Sequence, residues 1–373
     1  MTRTIPFTLM RGGTSKGVFL HRDDVPEDRE DLSALLSELF GSPDMRQIDG
    51  LGGADKLTSK AAVMGPPRGP DHDVTYLFGQ VGIDNPRVDY LLNCGNLSAS
   101  AGTWAVYNGL VPATTGTVAV RILNENTGKI IVAHVPCANG AVVEEGDYAI
   151  AGVPGTGAPI PLDFAGAAGA ITGKLLPFGE ALTDLFVPDL DGEVVQVSVV
   201  DCANLVVFVR ARDVGLTARE TPQELDVHPV AQPRIKAIRR AVAHRLGIGD
   251  YFDERPAPAS PICVMLDQAR PEEEADLAAR LYANGATSRA FAGTVTACTG
   301  VAARIPGTIT ALTIPQPVAE GAALRIRHPG GVIDVHAAVA ADGTVQRAEI
   351  KRTARRLAEG RAYLRSSRKE ALA

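Results

Sequence analysis

Short runs rich in Val, Ile, Thr and Phe recur along the chain. Their lengths and the turn residues that bound them predict β-strands at 74–81, 117–123, 129–135, 194–200, 205–210, 309–314 and 324–326. Apolar residues at helical spacing are rarer and predict helices over 31–40, 97–108, 234–246, 272–283 and 289–304. The pattern repeats itself. Gly17-Val18-Phe19-Leu20 followed by Asp24-Val25 recurs as Val206-Val207-Phe208-Val209 followed by Asp213-Val214, a constant shift of 189 residues. Farther on, the helix predicted from Leu97 leads to Val111-Pro112 and Gly116-Thr117, and the one predicted from Arg289 leads to Ile305-Pro306 and Gly307-Thr308. Each half then passes through an Arg-Ile strand (Arg121-Ile122, Arg325-Ile326) and a hairpin turn (Asn139-Gly140, Asp342-Gly343). The duplication predicts two similar lobes, 1–188 and 189–373, with a cleft between them, and the Gly, Ala and Pro-rich stretch 155–192 reads as the crossing.

Composition narrows the function classes. A chain of 373 residues with 45% hydrophobic side chains is long enough for two ordinary domains, and 38 glycines and 25 prolines against 5% aromatics favour turns and short strands over long helices. Lys plus Arg is 37 and Asp plus Glu is 43, so the formal charge of −6 opposes the basic footprint that a nucleic acid partner requires. Every apolar run falls short of the ~20 residues of a membrane span, and the start MTRTIPFTLMRGG lacks the apolar core of a signal peptide. The expectation is a soluble cytoplasmic protein with no membrane partner. Cys94, Cys137, Cys202, Cys263 and Cys298 are scattered without a C-x-x-C pair, and the seven histidines lack ligand spacing, so neither a disulfide framework nor a bound metal is predicted.

Three motifs carry candidate chemistry. Arg11-Gly12-Gly13-Thr14-Ser15-Lys16-Gly17 offers backbone N–H groups, two hydroxyls and two cations within seven residues, a cradle for a carboxylate whose spacing is not that of a P-loop. Thr58-Ser59-Lys60 opens onto Ala61-Ala62-Val63-Met64, so Lys60 stands at the mouth of a strand, where desolvation and nearby cations favour the neutral amine that a base needs. A solvated turn and a solvated lysine are the plain alternatives. Asn93-Cys94-Gly95-Asn96 leads into a helix, with Asn96 at the N-cap and Cys94 beside a helix N-terminus, where unpaired N–H groups favour a thiolate and bind carboxylates. The plain alternative is a buried structural cysteine.

In the second half, counting back from the Pro corners sets Thr287-Ser288-Arg289 opposite Asn93-Cys94-Gly95, so Ser288 stands where the first half has its thiol. The 189-residue shift sets Asn204 opposite Ser15, and His328-Pro329-Gly330-Gly331 is a turn able to point an imidazole inward. Cys298 falls inside its predicted helix and reads as packing. Gly152-x-x-Gly155-x-Gly157 runs into Pro159 and Pro161 rather than a helix, which excludes a dinucleotide loop, and Arg352-Thr353-Ala354-Arg355-Arg356 reads as a solvated basic face.

MRGGTSKGVF, GSPDMRQIDGLGGADKLTSK, NCGNLSASAG and RIRHPGG together resemble the family of 2-methylaconitate cis-trans isomerases, 4-oxalomesaconate tautomerases and 3-methylitaconate isomerases, over about residues 7–357. The resemblance implies an α+β, diaminopimelate-epimerase-like fold of two pseudo-symmetric lobes, each a curved, mostly antiparallel sheet around a central helix. It implies proton transfer by Lys60 and Cys94, and carboxylate binding by Gly13, Thr14, Ser15, Lys16, Gly95 and Asn96. Arg11, Ser59, Asn93, Asn204, Ser288, Arg289 and His328 complete the expected substrate-binding set. Two positions depart from the family pattern: Ser288 precedes Arg289 where many members have His, and Leu205 follows Asn204 where Pro is usual. Both touch the second-lobe wall and leave the substrate open. The expectation is a cofactor-independent isomerase that moves a proton along an allylic system of a small unsaturated di- or tricarboxylate. A two-base epimerase or racemase and a non-catalytic polycarboxylate binder are the alternatives. Homodimers are common for such folds and are carried as an option.

Overall fold

Alternation of side chains along two adjacent strands sets up the first half of the molecule. The computed structural model describes residues 3–91 and 94–365, and the chain divides into one unit made of residues up to 162 with those from 352 onward, and a second of residues 163–351. In the first, β1 (Arg3–Gly12) turns through Gly13 and Thr14 into antiparallel β2 (Ser15–His21). Parallel to β2 runs β3 (Lys60–Gly65), and antiparallel to β3 runs β4 (Val74–Val81). Ala61, Val63, Leu77 and Val81 cluster with Leu32, Leu35, Leu36 and Leu39 of α1 (Arg29–Phe40). Burying each such leucine stabilises the fold by about 1.5–3 kcal/mol. The alternate positions Lys60, Ala62, Tyr76, Phe78 and Gln80 therefore share the opposite face. That face receives α2 (Gly95–Tyr107): Gly17, the register partner of Lys60, has room for no side chain because a Cβ there would stand 2.8 Å from Leu97.

Helix α2 is buried on every side from Gly95 to Val106, as expected of a helix that carries no charged residue. It lies against β5 (Gly116–Asn124) and β6 (Lys129–Ala138), an antiparallel pair of which β5 runs parallel to β4. Asn139 and Gly140 both have positive φ (52° and 77°), the conformation of the hairpin turn read from the sequence. The C-terminal strand Ala354–Leu364 pairs antiparallel along the length of β1, from Arg3↔Leu364 to Gly12↔Ala354. This return of the chain places residues from 352 onward in the first unit, where a division at 188/189 assigns them to the second. The other boundary, at 162/163, falls inside the expected crossing.

The second unit repeats the order of pairings. β7 (Glu193–Cys202) and β8 (Asn204–Arg210) are antiparallel, and β8 is parallel to β9 (Ile262–Gln268). β9 is antiparallel to β10 (Leu277–Ala283), β10 parallel to β11 (Leu324–His328), and β11 antiparallel to β12 (Gly331–Val339). α3 (Ala231–Arg245) packs its Ile235, Ile238 and Val242 on one side of this sheet, and α4 (Gly293–Ala303), buried from Gly293 to Ala302, takes the place of α2. The correspondence reaches single residues: Gly102 fits against Ala133 and Val135 of β6, and Gly300 against Val335 and Ala337 of β12.

Four local expectations are corrected. Residues 272–283 form a single 3₁₀ turn and then strand β10, because pairing on both edges with β9 and β11 overrides the helix-favouring Ala, Leu and Arg. The segment expected as a strand at 309–314 is the short helix Ile309–Thr313, started by the Thr308 hydroxyl accepting from the N–H of Ala311. The helix expected from 289 begins at Gly293. Finally, α2 begins two residues earlier than an Asn96 cap requires: Cys94 is its N-cap residue, and Asn96 lies within the first turn.

A Cβ on Gly102 would stand 2.6 Å from that of Ala133, and one on Gly300 2.6 Å from Val335. Gly102→Ala and Gly300→Ala should each destabilise the protein by roughly 1–3 kcal/mol through overpacking, whereas Gly360→Ala, where a Cβ meets only Phe7 at 3.8 Å, should leave stability unchanged or raise it by about 0.4–1 kcal/mol. Denaturant unfolding of the three variants checks the ranking.

Candidate active site

The site in the first unit is built around a backbone contact. A Cβ on Gly12 would lie 2.3 Å from the Asn96 carbonyl oxygen and 2.6 Å from the Ser100 hydroxyl, so the turn between β1 and β2 rests directly on the first turn of α2. Gly13, at φ +50°, has Asn96 and Arg352 where a side chain would go. Around this contact Asn96 is the hub. Its amide nitrogen donates to the hydroxyls of Thr14 (3.0 Å) and Ser15 (3.3 Å), and its amide oxygen accepts from Nε of Arg352 (3.0 Å). Arg352 is 2% exposed. Burial pushes its guanidinium down to about 10, against the opposing pull of Tyr148 and Cys94.

Arg352 is one residue whose place in the site its local sequence conceals. The run 352–356 looks like a solvated basic stretch, and its members from Arg355 onward are indeed exposed. Strand pairing with β1 draws the start of the run inward, so that Arg352 and Thr353 are buried. Thr353 accepts the N–H of Gly13 (2.8 Å) at its carbonyl. Arg11 reaches across to the Gly13 carbonyl (3.1 Å) and to the Thr353 carbonyl and hydroxyl (3.1 and 3.0 Å). Burial, with Arg355 nearby, lowers the Arg11 pKa. The N–H of Lys16 donates to the Leu57 carbonyl (2.8 Å). The expected cradle of open backbone N–H groups is thus largely closed: the amides of Gly13 and Lys16 are engaged, and Arg11 braces the turn. Lys16, half-buried, makes no side-chain hydrogen bond or ion pair among the described residues.

Lys60 opens β3 and is 8% exposed. Its Nζ donates to Oε1 of Gln80 at 2.6 Å and lies 5.1 Å from the centre of the Phe78 ring. Among the described residues it forms no ion pair with a carboxylate. Ser59 is fully buried, and its hydroxyl donates to Oε1 of Gln47 (2.7 Å), which also accepts from the N–H of Ala54 (2.8 Å). Ser59 thereby anchors the approach to Lys60. Gln47 and Gln80 were also missed. Gln80 was legible, as the one amide on an otherwise apolar strand face; Gln47 acts through a long loop whose path no pattern predicts.

Cys94, buried at the N-cap of α2, makes no side-chain capping bond, and its carbonyl accepts from the N–H and the hydroxyl of Ser98 (both 3.1 Å). Gly95 is the first residue of the helix. Asn93 lies outside the described residues. Tyr76, on the same sheet face as Lys60, is fully buried; desolvation first, and then Cys94, raises its pKa well above the ordinary value.

In the second unit Asn204 starts β8 and donates to the hydroxyl of Thr294 (2.7 Å) in the first turn of α4. Matching Gly102 to Gly300 makes Thr294 the counterpart of Asn96 and Ala292, the N-cap of α4, the counterpart of Cys94. The assignment of Ser288 to that place is therefore corrected: α4 and the link from it to the Pro corner are both shorter than their counterparts in the first unit, so counting back from the Pro corners overshoots. Ser288 donates to the Ala290 carbonyl (2.6 Å), and Arg289 is exposed. His328, 3% exposed, accepts the N–H of Gly330 (3.1 Å) and stacks on Phe291 with centroids 6.0 Å apart. Among the described residues no group of His, Cys, Asp and Glu could hold a metal ion, and no helix is long and apolar enough to cross a membrane.

The profile of the PrpF protein family matches residues 2–365. The chain is 41% identical to a 3-methylitaconate isomerase of Eubacterium barkeri, covering 98% of both chains. It is 38% identical to a (4E)-oxalomesaconate Delta-isomerase of Novosphingobium sp. (95% and 96% covered) and 36% identical to a 2-methyl-aconitate isomerase of Shewanella oneidensis (95% of each). The crystal structure of a methylitaconate-delta-isomerase superposes with a TM-score of 0.82 at 40% identity, covering 97% of this chain and 96% of that one. A hydroxyproline epimerase from Agrobacterium vitis, 12% identical, superposes at 0.56 over 98% of this chain and 95% of its own, a likeness of fold.

Asn96→Ala removes the acceptor of a buried guanidinium and the donor to two hydroxyls. It should cost about 2–3 kcal/mol, read as a lower midpoint in denaturant unfolding with an unchanged slope.

Proposed function

Because the chain belongs to the PrpF protein family and is an isomerase, we propose that Lys60 and Cys94 transfer the proton in an allylic isomerisation of a small unsaturated di- or tricarboxylate. The relatives named above act on methylitaconate, oxalomesaconate and methylaconitate at nearly equal identity to this chain. That spread supports the substrate class and leaves the individual acid to experiment. The observation that carries the reading is a buried amine held by a neutral acceptor, on the sheet face that receives the helix begun by Cys94.

In the forward sense Lys60 Nζ takes the proton from the carbon next to a carboxylate, breaking that C–H bond. The electron pair spreads over the adjacent C=C and the carboxylate as a dienolate. The Cys94 thiol then delivers a proton to the far carbon, forming the new C–H bond and shifting the double bond. The reverse reaction exchanges the two roles. Arg352, Lys16 and the first turn of α2 supply positive potential for the carboxylates and for the dienolate charge. The hydroxyls of Thr14 and Ser15, set by Asn96, offer hydrogen bonds to a carboxylate. No step calls for a metal or an organic cofactor. The five cysteines are all buried and unpaired, which fits a reducing compartment such as the cytoplasm.

A racemase would need a second proton carrier, and Ala292, at the position of the second unit that matches Cys94, supplies none. Proton NMR in D₂O with itaconate, 3-methylitaconate, cis- and trans-aconitate, 2-methylaconitate and 4-oxalomesaconate tests the proposal. One of them should take up deuterium at an allylic carbon or shift its double bond. Lys60→Ala and Cys94→Ala should each slow that exchange on the order of 10²–10⁴-fold; near-normal exchange by Lys60→Ala would remove Lys60 from the mechanism.

A further inference from the structure

Lys60 and Gln80 are direct cross-strand partners in the β3–β4 pair, and Nζ meets Oε1 at 2.6 Å. The other end of the Gln80 amide is also tied down. Its Nε2 donates to the carbonyls of Ser59 (3.0 Å) and Lys56 (3.2 Å), so the amide can present only its oxygen to the lysine. The strand leads up to this point with Val74, Tyr76 and Phe78 on the same face, all buried. A polar residue at the end of such a row is placed there for the amine.

We infer that Gln80 is the positioning residue of the proton transfer, fixing the direction in which Lys60 accepts or gives its proton. The inference rests on the assignment of Lys60 as a proton-transfer group. A neutral amine has two N–H bonds and one lone pair, and an ammonium has three N–H bonds; in either state one N–H goes to Oε1 of Gln80. The Phe78 ring occupies a second side of the amine. The remaining direction, lone pair or N–H, is left for the substrate carbon. The neutrality of the acceptor matters as much as its place. A carboxylate at position 80 would strongly favour the ammonium and withhold the base, whereas an uncharged amide oxygen can accept from either form and favours the ammonium far less.

The test is kcat and kcat/KM against pH for the wild type, Lys60→Ala, Gln80→Glu and Gln80→Met. Gln80→Met should lower kcat about 10–100-fold, the size expected of a misplaced catalytic group, with KM changed by no more than about threefold. Gln80→Glu should move the limb of the kcat/KM profile that titrates the lysine to higher pH by roughly one unit or more, and regain rate there. A merely structural role would lower the amount of active protein, and with it the apparent kcat at unchanged KM, but would leave the Gln80→Glu pH profile unmoved. Superimposable profiles for Gln80→Glu and wild type, with Lys60→Ala inactive, would overturn the role of Gln80 alone. An active Lys60→Ala would overturn the assignment of Lys60 and this inference with it. Should Gln80→Met fail to fold, the Gln80→Glu profile decides.

Discussion

A methyl group on Gly12 would stand 2.3 Å from the Asn96 carbonyl oxygen, so the β1–β2 turn and the start of α2 can touch only because that carbon is missing. Everything proposed for the first unit follows from the touch. It brings Thr14 and Ser15 within reach of the Asn96 amide and fixes which way that amide points. The amide oxygen is thereby turned to Arg352, which arrives on the C-terminal stretch because that stretch pairs along β1. Gly17, two register steps beyond the turn, repeats the device: with no Cβ it lets Leu97 settle beside the carbonyl of Lys60. Helix α2 is thus held against two strands by absent side chains, and its N-terminal N–H groups and Cys94 are set on the face that carries Lys60.

The second unit keeps the backbone arrangement and exchanges the chemistry. In the first, hydroxyls sit on the turn and the amide on the helix; in the second, the amide of Asn204 sits on the strand and the hydroxyl of Thr294 on the helix. The same hydrogen bond is made with donor and acceptor residues traded across the contact. The cap position does not survive the exchange, since Cys94 is answered by Ala292. Only the first copy carries a thiol at the cap of its central helix and a lysine at the mouth of the strand beside it, so on the proposed reading proton transfer falls to that copy alone.

The repeat was legible because it is written in strand starts and corner prolines, features that depend on local sequence. The three motifs of the first unit were legible for the same reason: each is a short run whose backbone demands are its own. What escaped was set by pairing partners far along the chain. Leu277–Ala283 carries helix-forming residues and is a strand because strands occupy both its edges. Arg352 reads as a surface charge until β1, some 340 residues away, is laid beside its neighbours. Position counting failed where the two copies differ in length, as the shift from Ser288 to Ala292 shows, whereas the packing glycines Gly102 and Gly300 give the correct register at once.

The partners of the buried amine and the buried guanidinium bear on the proposed substrate class. Gln80 receives Lys60 and Asn96 receives Arg352, each through an amide oxygen. Desolvating a cation is costly, and a carboxylate partner would offset more of that cost than an amide does. It would also cancel the charge. An amide holds the group in position and adds no negative charge of its own, which on the proposed reading is left for the substrate to bring. A polycarboxylate brings that charge with it, and gains more of it at the reacting carbons as the proton leaves, so the attraction grows from ground state toward dienolate. On the proposed reading the amides beside Lys60 and Arg352 belong to the chemistry as much as the groups they hold, because they position amine and guanidinium without setting a negative charge against the developing carbanion.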